Sequence, residues 1–268
     1  MKDTTVVIRS VKERTENICY QLVKAEFAEN AIFFSRKVPF AATLKDALEI
    51  GLRENRKWTL HVDADVLPDK GKLAELVQLA ESLPENILEI QGLVLDKFLP
   101  IRRPAGNHLY RTKYIEKILN ANTIHSNAQR PESSLLRMMS GLGFPAYQSD
   151  ILIGLHDYEQ YYEDIFRKCF LQVQKTDWAL PYLETYWTEN APNDPDFKVA
   201  LLALYISKIS KGAADTNKAR NKAEINALLQ LVGIEEKRSS LNWMPTSYCK
   251  TAYRKPTKMY LSRNCSNV

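Results

Sequence analysis

Two aspartates, Asp63 and Asp65, stand two positions apart at the end of the run Trp58-Thr-Leu-His-Val. The apolar and β-branched residues before them predict a buried strand, and Pro68 marks the turn that follows. Alternation along an extended chain sends both carboxylates to the same side. Because α/β sheets bind ligands at the carboxyl ends of their strands, this pair provides half of a site for a hard divalent cation. The alternative is an ordinary turn, in which aspartate is a common residue.

The elements that must position these aspartates alternate along the first half of the chain. Strands are predicted at 4–9, 31–34, 58–63, 87–95 and 150–155. Helices are predicted at 12–28, 40–55, 70–82 and 131–140, and a loop at 96–110. This alternation indicates an α/β fold with a mainly parallel sheet flanked by helices.

The second half of the chain has a different character. Helices are predicted at 158–174, 178–188, 196–210 and 216–231. We therefore expect a catalytic α/β domain over residues 1–157 and a mostly helical C-terminal region over residues 158–268.

Size and composition are typical of a globular protein: 268 residues, 45% of them hydrophobic and 26% charged. No apolar run reaches the length of a transmembrane helix, and the N-terminus has no signal-peptide pattern, so a cytoplasmic protein is expected. The four cysteines have no C-x-x-C spacing, which argues against structural zinc and predicts reduced thiols.

The net charge of +5 is concentrated at the C-terminus, where residues 237–268 contain seven Lys or Arg and no acidic residue. Since the remainder is close to neutral, nucleic acid is not an expected partner. The basic tail is either a solvated end or a contact with anionic lipid or a phosphate-bearing substrate. The second interpretation would place the protein peripherally at the inner face of a membrane.

The order of these features resembles that of GT-A-fold, nucleotide-sugar-dependent glycosyltransferases, most like the bacterial family 2 type. The resemblance covers residues 4–170. Five pieces carry it: Arg9-Ser10 after the first strand, Pro39-Phe-Ala-Ala-Thr43 at a helix start, Trp58 to Asp65, Pro131-Glu132 at another helix start, and Ile151-Leu-Ile-Gly-Leu-His156.

The resemblance implies transfer of a sugar from a nucleotide diphosphate to an acceptor hydroxyl, with a divalent cation stabilising the leaving diphosphate. It implies Asp65 as the main metal ligand, with Asp63 at the ribose or near the metal. It also implies His156 as a nitrogen ligand, which favours Mn²⁺ with Mg²⁺ as a substitute. Glu132 is the expected catalytic base, although its charge would also favour a helix N-terminus without any catalytic role.

Other residues are expected to contact the donor or to replace Glu132. The nucleotide contacts are assigned to Arg9, Ser10 and Arg14, the phosphate contacts to Lys37, Arg102 and Arg103, and the alternative bases are Asp150 and Asp157. Residues 28–40 lack the Asp-Asp-x-Ser signature of the family, so base recognition must be built differently here. A UDP-sugar is the favoured donor, and a glycan or lipid-linked acceptor in bacterial polysaccharide, lipopolysaccharide or glycan synthesis is expected.

Two other functions compete with this one. A haloacid-dehalogenase-like phosphatase also carries a strand-end D-x-D, but it needs Thr or Gly soon after, where this chain has Val66-Leu67-Pro68. A protein that binds a nucleotide sugar without turnover is the third possibility, and metal-dependent donor hydrolysis would distinguish it from an enzyme.

Overall fold

A computed structural model describes residues 3–121, 131–175, 179–210 and 218–238. Its strands are β1 (Thr4–Arg9), β2 (Ile32–Ser35), β3 (Trp58–Asp63), β4 (Val66–Pro68), β5 (Glu89–Asp96), β6 (Arg102–Pro104), β7 (Asn107–Arg111) and β8 (Ala146–His156). Its α-helices are α1 (Glu16–Lys24), α2 (Phe40–Glu54), α3 (Lys72–Ser82), α4 (Ile115–Asn120), α5 (Pro131–Gly141), α6 (Tyr162–Lys175), α7 (Leu180–Asn190), α8 (Pro195–Ile209) and α9 (Lys218–Leu231).

The described strands form one sheet in the order β2-β1-β3-β7-β5-β8-β4, with β6 paired to β5. Strand β1 is parallel to β2 and β3, and β5 is parallel to β8. Strand β7 is antiparallel to β3 and β5, as are β4 to β8 and β6 to β5. Strands β1, β2, β3, β5 and β8 therefore share one direction, which confirms the predicted α/β class and its mainly parallel sheet.

The loop predicted over residues 96–110 is wrong, because it contains β6 and most of β7. Strand β7 reads Asn-His-Leu-Tyr-Arg, and all five residues are buried. Its polar side chains have partners in and just before the neighbouring strand β5. Asn107 Oδ1 accepts a hydrogen bond from the Gly92 amide at 2.7 Å, and Arg111 Nε donates one to the Ile87 carbonyl at 3.0 Å. Polar composition predicts a loop only where such groups face water.

The core forms on both faces of the central strands. Val6, Ile8, Leu60 and Val62 contact α1 and α3 in one buried cluster, while Val7 packs against Ala47 of α2 on the other face. Burial on both faces explains the continuous apolar run Val6-Val-Ile8 in β1. In β3 the polar Thr59 and His61 alternate with apolar residues and are equally buried.

Strand β4 has three residues and lies at the edge of the sheet, antiparallel to the end of β8. The register pairs Val66 with His156 and Pro68 with Gly154. A Cβ atom at Gly154 would lie 2.0 Å from the Leu67 carbonyl oxygen, so only glycine permits this close approach. The pairing brings the turn after β3, which carries Asp65, to the carboxyl end of β8.

Helices α6 to α9 form a second core that also includes Phe98 and Leu99, from the segment after β5. The indole nitrogen of Trp187 donates a hydrogen bond to the Phe98 carbonyl at 2.8 Å. The predicted domain division at residue 157 stays a prediction, and the basic tail beyond residue 238 lies outside the described residues. Within the described ranges, no helix combines the length and apolar character that crossing a membrane requires.

Candidate metal centre

Carboxylates from three parts of the chain meet at the carboxyl ends of β5 and β8. Asp96 ends β5, Asp157 directly follows β8, and Asp65 lies in the turn between β3 and β4. The Asp157 amide donates a hydrogen bond to the Asp65 carbonyl at 3.2 Å, and Asp157 has a left-handed backbone with φ of 62°. Such conformations in non-glycine residues cluster at functional sites.

His156 lies between these carboxylates. Its Nδ1 atom lies 3.0 Å from Asp96 Oδ2 and 3.0 Å from Asp157 Oδ2, while its Nε2 atom lies 3.7 Å from Asp65 Oδ1. Carboxylates on one ring nitrogen fix the orientation of the ring and direct the other nitrogen toward a ligand.

The donor set fits a divalent cation. Asp65 Oδ1 is buried and has no hydrogen-bond partner among the described residues. Asp65, His156 and Asp157 can each offer one ligand atom, and these atoms lie within 4.8 Å of one another. Two carboxylates and an imidazole suit Mn²⁺ better than Mg²⁺, which prefers oxygen ligands. The structure thus brings together Asp65 and His156, both predicted as ligands, with Asp157. Asp63 lines the same cavity, and its role at the ribose or near the metal stays a prediction.

Two basic side chains offset the negative charge of the carboxylates. Lys168 of α6 lies 2.5 Å from Asp65 Oδ2 and also forms an ion pair with Asp157. Arg103 of β6 donates hydrogen bonds to Asp96 Oδ2 from Nε at 3.0 Å and from Nη2 at 2.5 Å.

These charges shift the pKa values of the cluster. Burial alone would raise the pKa of Asp65, but Lys168 and His156 outweigh it and hold that pKa well below its usual range. Burial would lower the pKa of His156, but Asp157 and Asp65 raise it to about 10. His156 therefore carries a proton at neutral pH, and a metal ion must displace that proton to bind the ring nitrogen.

A cavity of about 300 Å³ opens at this cluster. That volume is at the lower end of the range for small-molecule sites. The lining residues are Asp63, Asp65, Asp96, Phe98, Leu99, Arg103, His156, Asp157, Lys168, Cys169, Leu171 and Gln172.

Glu132 belongs to a second buried cluster. Arg9 donates hydrogen bonds to Asp63 Oδ1 at 2.7 Å and to Glu132 at 3.0 Å. The Tyr110 hydroxyl donates to Glu132 Oε1 at 2.7 Å, and His108 Nε2 lies 2.9 Å from Glu132 Oε2. Although burial opposes it, Arg9 and His108 lower the pKa of Glu132 well below its usual value. A carboxylate stabilised in this way is a weak proton acceptor, and the role of Glu132 as the catalytic base stays a prediction.

The other predicted donor contacts are dispersed. Ser10 donates a hydrogen bond to Glu13 at 2.8 Å, which helps to form the turn that shortens the predicted helix 12–28. The Arg14 side chain is 6% exposed and pairs with Glu159 at 2.9 Å. Lys37 and Arg102 are exposed. Their roles at the donor, and that of Arg9, stay predictions.

Sequence reasoning missed Asp96 and Lys168 and considered Asp157 only as an alternative base. The position of Asp96 was a usable signal, because it directly follows the predicted strand 87–95. Asp63 stands in the same way at the end of the predicted strand 58–63. Lys168 carried no such signal, since one lysine in a charged amphipathic helix has no distinguishing neighbours.

No protein-family model and no curated protein matches the chain. Among solved structures, it is similar to a mannosyltransferase from Pyrobaculum calidifontis in complex with GDP-Man and Mn²⁺, at 11% identity and a TM-score of 0.43, over 94% of this chain and 86% of that chain. It is also similar to a glucosyl-3-phosphoglycerate synthase from Mycobacterium tuberculosis in complex with Mn²⁺, UDP-glucose and glycerol 3-phosphate, at 9% identity and a TM-score of 0.38, over 59% of this chain and 73% of that chain.

A third similar structure is a glycosyltransferase involved in glycosylation of the major capsid of PBCV-1, at 10% identity and a TM-score of 0.40, over 55% of this chain and 81% of that chain. Glycosyltransferases are thus among the structures that this chain resembles, as its motifs predict. Identities and TM-scores this low transfer neither a reaction nor a substrate.

Proposed function

We propose that this protein is a metal-dependent glycosyltransferase that moves a sugar from a nucleotide-diphosphate donor to an acceptor hydroxyl. One observation carries the proposal: the buried Asp65 Oδ1, without a hydrogen-bond partner among the described residues, lies 3.7 Å from His156 Nε2. A divalent cation is the group that both atoms would bind together. The two atoms lie at the carboxyl ends of the strands, where α/β sheets bind phosphate-bearing ligands.

Six of the charged residues that line the cavity have a part in this chemistry. Asp65, His156 and Asp157 would hold the cation, which when bound supplies a Lewis acid for the departing diphosphate. Asp96 orients the His156 ring through Nδ1 at 3.0 Å. Arg103 and Lys168 add positive charge at the same cavity, where it offsets the charge that develops on the leaving group.

The finer assignments come from the sequence. Mn²⁺ is the proposed cation because imidazole is among its ligands. A UDP-sugar is the proposed donor, and a bacterial glycan or lipid-linked molecule is the proposed acceptor. Glu132 remains the proposed base for an inverting transfer, although its contacts with Arg9 and Tyr110 make it a weak one.

A thermal-shift panel tests the proposal directly. UDP-, GDP-, CMP- and dTDP-sugars are added to the full chain with Mn²⁺, with Mg²⁺ and with EDTA. A donor at a hundred times its dissociation constant stabilises the folded state by about 2.7 kcal/mol, which raises the melting temperature. We expect one nucleotide class to give a shift that EDTA abolishes.

Two variants sharpen this test. Asp65→Asn removes the charge that holds the cation, so the metal-dependent shift should vanish. Glu75→Gln is the matched control, because Glu75 pairs with Lys72 on the exposed face of α3. A shift that persists in Asp65→Asn would contradict the metal centre. Hydrolysis of a simple phosphomonoester, with no response to any nucleotide sugar, would instead support the phosphatase alternative.

A further inference from the structure

Lys168 holds the two carboxylates that a cation would need. Its ammonium lies 2.5 Å from Asp65 Oδ2 and is also paired with Asp157. The two oxygens of Asp65 have different neighbours: Oδ2 contacts Lys168, and Oδ1 lies 3.7 Å from His156 Nε2. In this state a side chain of the protein itself provides the positive charge at the centre.

We propose that Lys168 is a built-in competitor of the divalent cation, and that its release from Asp65 and Asp157 couples cation binding to donor binding. The inference rests on the proposed function. A divalent cation and an ammonium on the same two carboxylates repel each other at short range, and burial strengthens that repulsion. Cation binding through Asp65 Oδ1 therefore weakens both ion pairs of Lys168 and favours its release.

Lys168 is free to move in a way that its neighbour Arg103 is not. Both side chains line the cavity and are partly exposed, Lys168 at 26% and Arg103 at 32%, so the difference lies in their chemistry. Lys168 is a point charge on a flexible four-carbon stem. Arg103 is fixed by two hydrogen bonds from a planar guanidinium to Asp96. Of these two cations, Lys168 is the one that can exchange partners.

The released ammonium remains at the wall of the cavity. Without a donor it loses two carboxylate partners and gains only water. With a donor it meets a diphosphate, which is a strong partner for an ammonium ion. The cation is therefore expected to bind weakly alone and more tightly when a nucleoside diphosphate is present.

The test is Mn²⁺ affinity, measured on the full chain from the electron paramagnetic resonance signal of free Mn²⁺. Lys168→Met should bind Mn²⁺ at least tenfold more tightly than the natural chain in the absence of nucleotide. Adding UDP, corrected for its own Mn²⁺ complex, should raise the affinity of the natural chain at least tenfold and that of Lys168→Met much less. Lys208→Met is the matched control, since Lys208 of α8 pairs with Glu184 of α7 outside the cavity.

Equal Mn²⁺ affinity in Lys168→Met and the natural chain, or no binding by either, would overturn the inference. If Lys168→Met does not fold, acetylation of the natural chain replaces it. Mass spectrometry should then find Lys168 modified faster, relative to Lys208, with saturating Mn²⁺ than with EDTA, and an unchanged rate overturns the inference. The proposed function fails on a different measurement, the absence of any response to nucleotide sugars.

Discussion

Gly154 offers the most direct test of how the candidate metal centre is positioned. A Cβ atom at this position would lie 2.0 Å from the Leu67 carbonyl oxygen and 2.8 Å from Pro68 Cα, both backbone atoms. Since Cβ contacts below 3.0 Å are essentially never found, Gly154→Ala must move β4 away from β8 by about 1 Å. No side-chain rotation relieves this clash.

The size of the effect follows from that displacement. Overpacking costs about 1–3 kcal/mol, and weakening a ladder hydrogen bond costs about 1 kcal/mol more. We therefore expect Gly154→Ala to lower the free energy of unfolding by about 3 kcal/mol, and the melting temperature by about 6–12 °C. Because Val66 and His156 are register partners, the same shift moves Asp65 from His156 and should weaken Mn²⁺ binding at least tenfold.

Urea unfolding and Mn²⁺ titration measure the two effects separately. Gly141→Ala is the matched control: Gly141 ends α5, and a Cβ there meets nothing within 4 Å. That variant should be neutral or slightly stabilised, with unchanged Mn²⁺ affinity. If Gly154→Ala keeps the stability and the Mn²⁺ affinity of the natural chain, then the β4–β8 contact does not position the centre, and the reasoning fails.

Three further predictions concern the charged clusters. Mn²⁺ affinity should rise about tenfold per pH unit up to the pKa of His156, about 10, because each cation bound displaces one proton; a pH-independent affinity would exclude the imidazole as a ligand. Glu132→Gln should lower stability by about 3 kcal/mol in urea, since Arg9 loses a buried charge partner, and loss of transfer without loss of stability would support the base role instead. Burial would lower the pKa of His108, but Glu132 raises it to about 9. The ion pair of His108 with Glu132 therefore stabilises the fold fully below pH 6.5, the pKa of the unfolded chain, and this stabilisation is lost as the pH rises through 9. Unfolding free energy measured from pH 6 to pH 10 should therefore fall by about 3 kcal/mol more in the natural chain than in His108→Gln.

The sequence predicted the elements with strong periodicity. Strands β1, β3 and β5 are rich in apolar and β-branched residues, and helix α2 has a clear apolar face, so the predicted bounds of each agree with the structure to within a few residues. Asp63 at the end of β3, Asp65 just after it and His156 at the end of β8 lie at the edge of the sheet that the sequence predicts, because strand direction alone determines which ends meet.

The missed features are those that tertiary contacts decide. Strand β4 is too short to show alternation, and β7 is polar in composition because its partners lie on other strands. Glu132 opens a helix as predicted, but its contacts with Arg9 and Tyr110 depend on strands far away in the chain. Such long-range pairings leave no local pattern.

The register of β4 also has a consequence for the time course of biosynthesis. Val66 and His156, which it pairs, are 90 residues apart in the chain. At about 5–20 residues per second, the ribosome needs about 5–20 s to travel from one to the other. During that interval the nascent chain already carries Asp65 but has neither His156 nor Asp157, so no cation can be captured by the complete ligand set. Loading of the proposed cation would therefore be a late event in the life of the chain, after the second half of the sheet has been made.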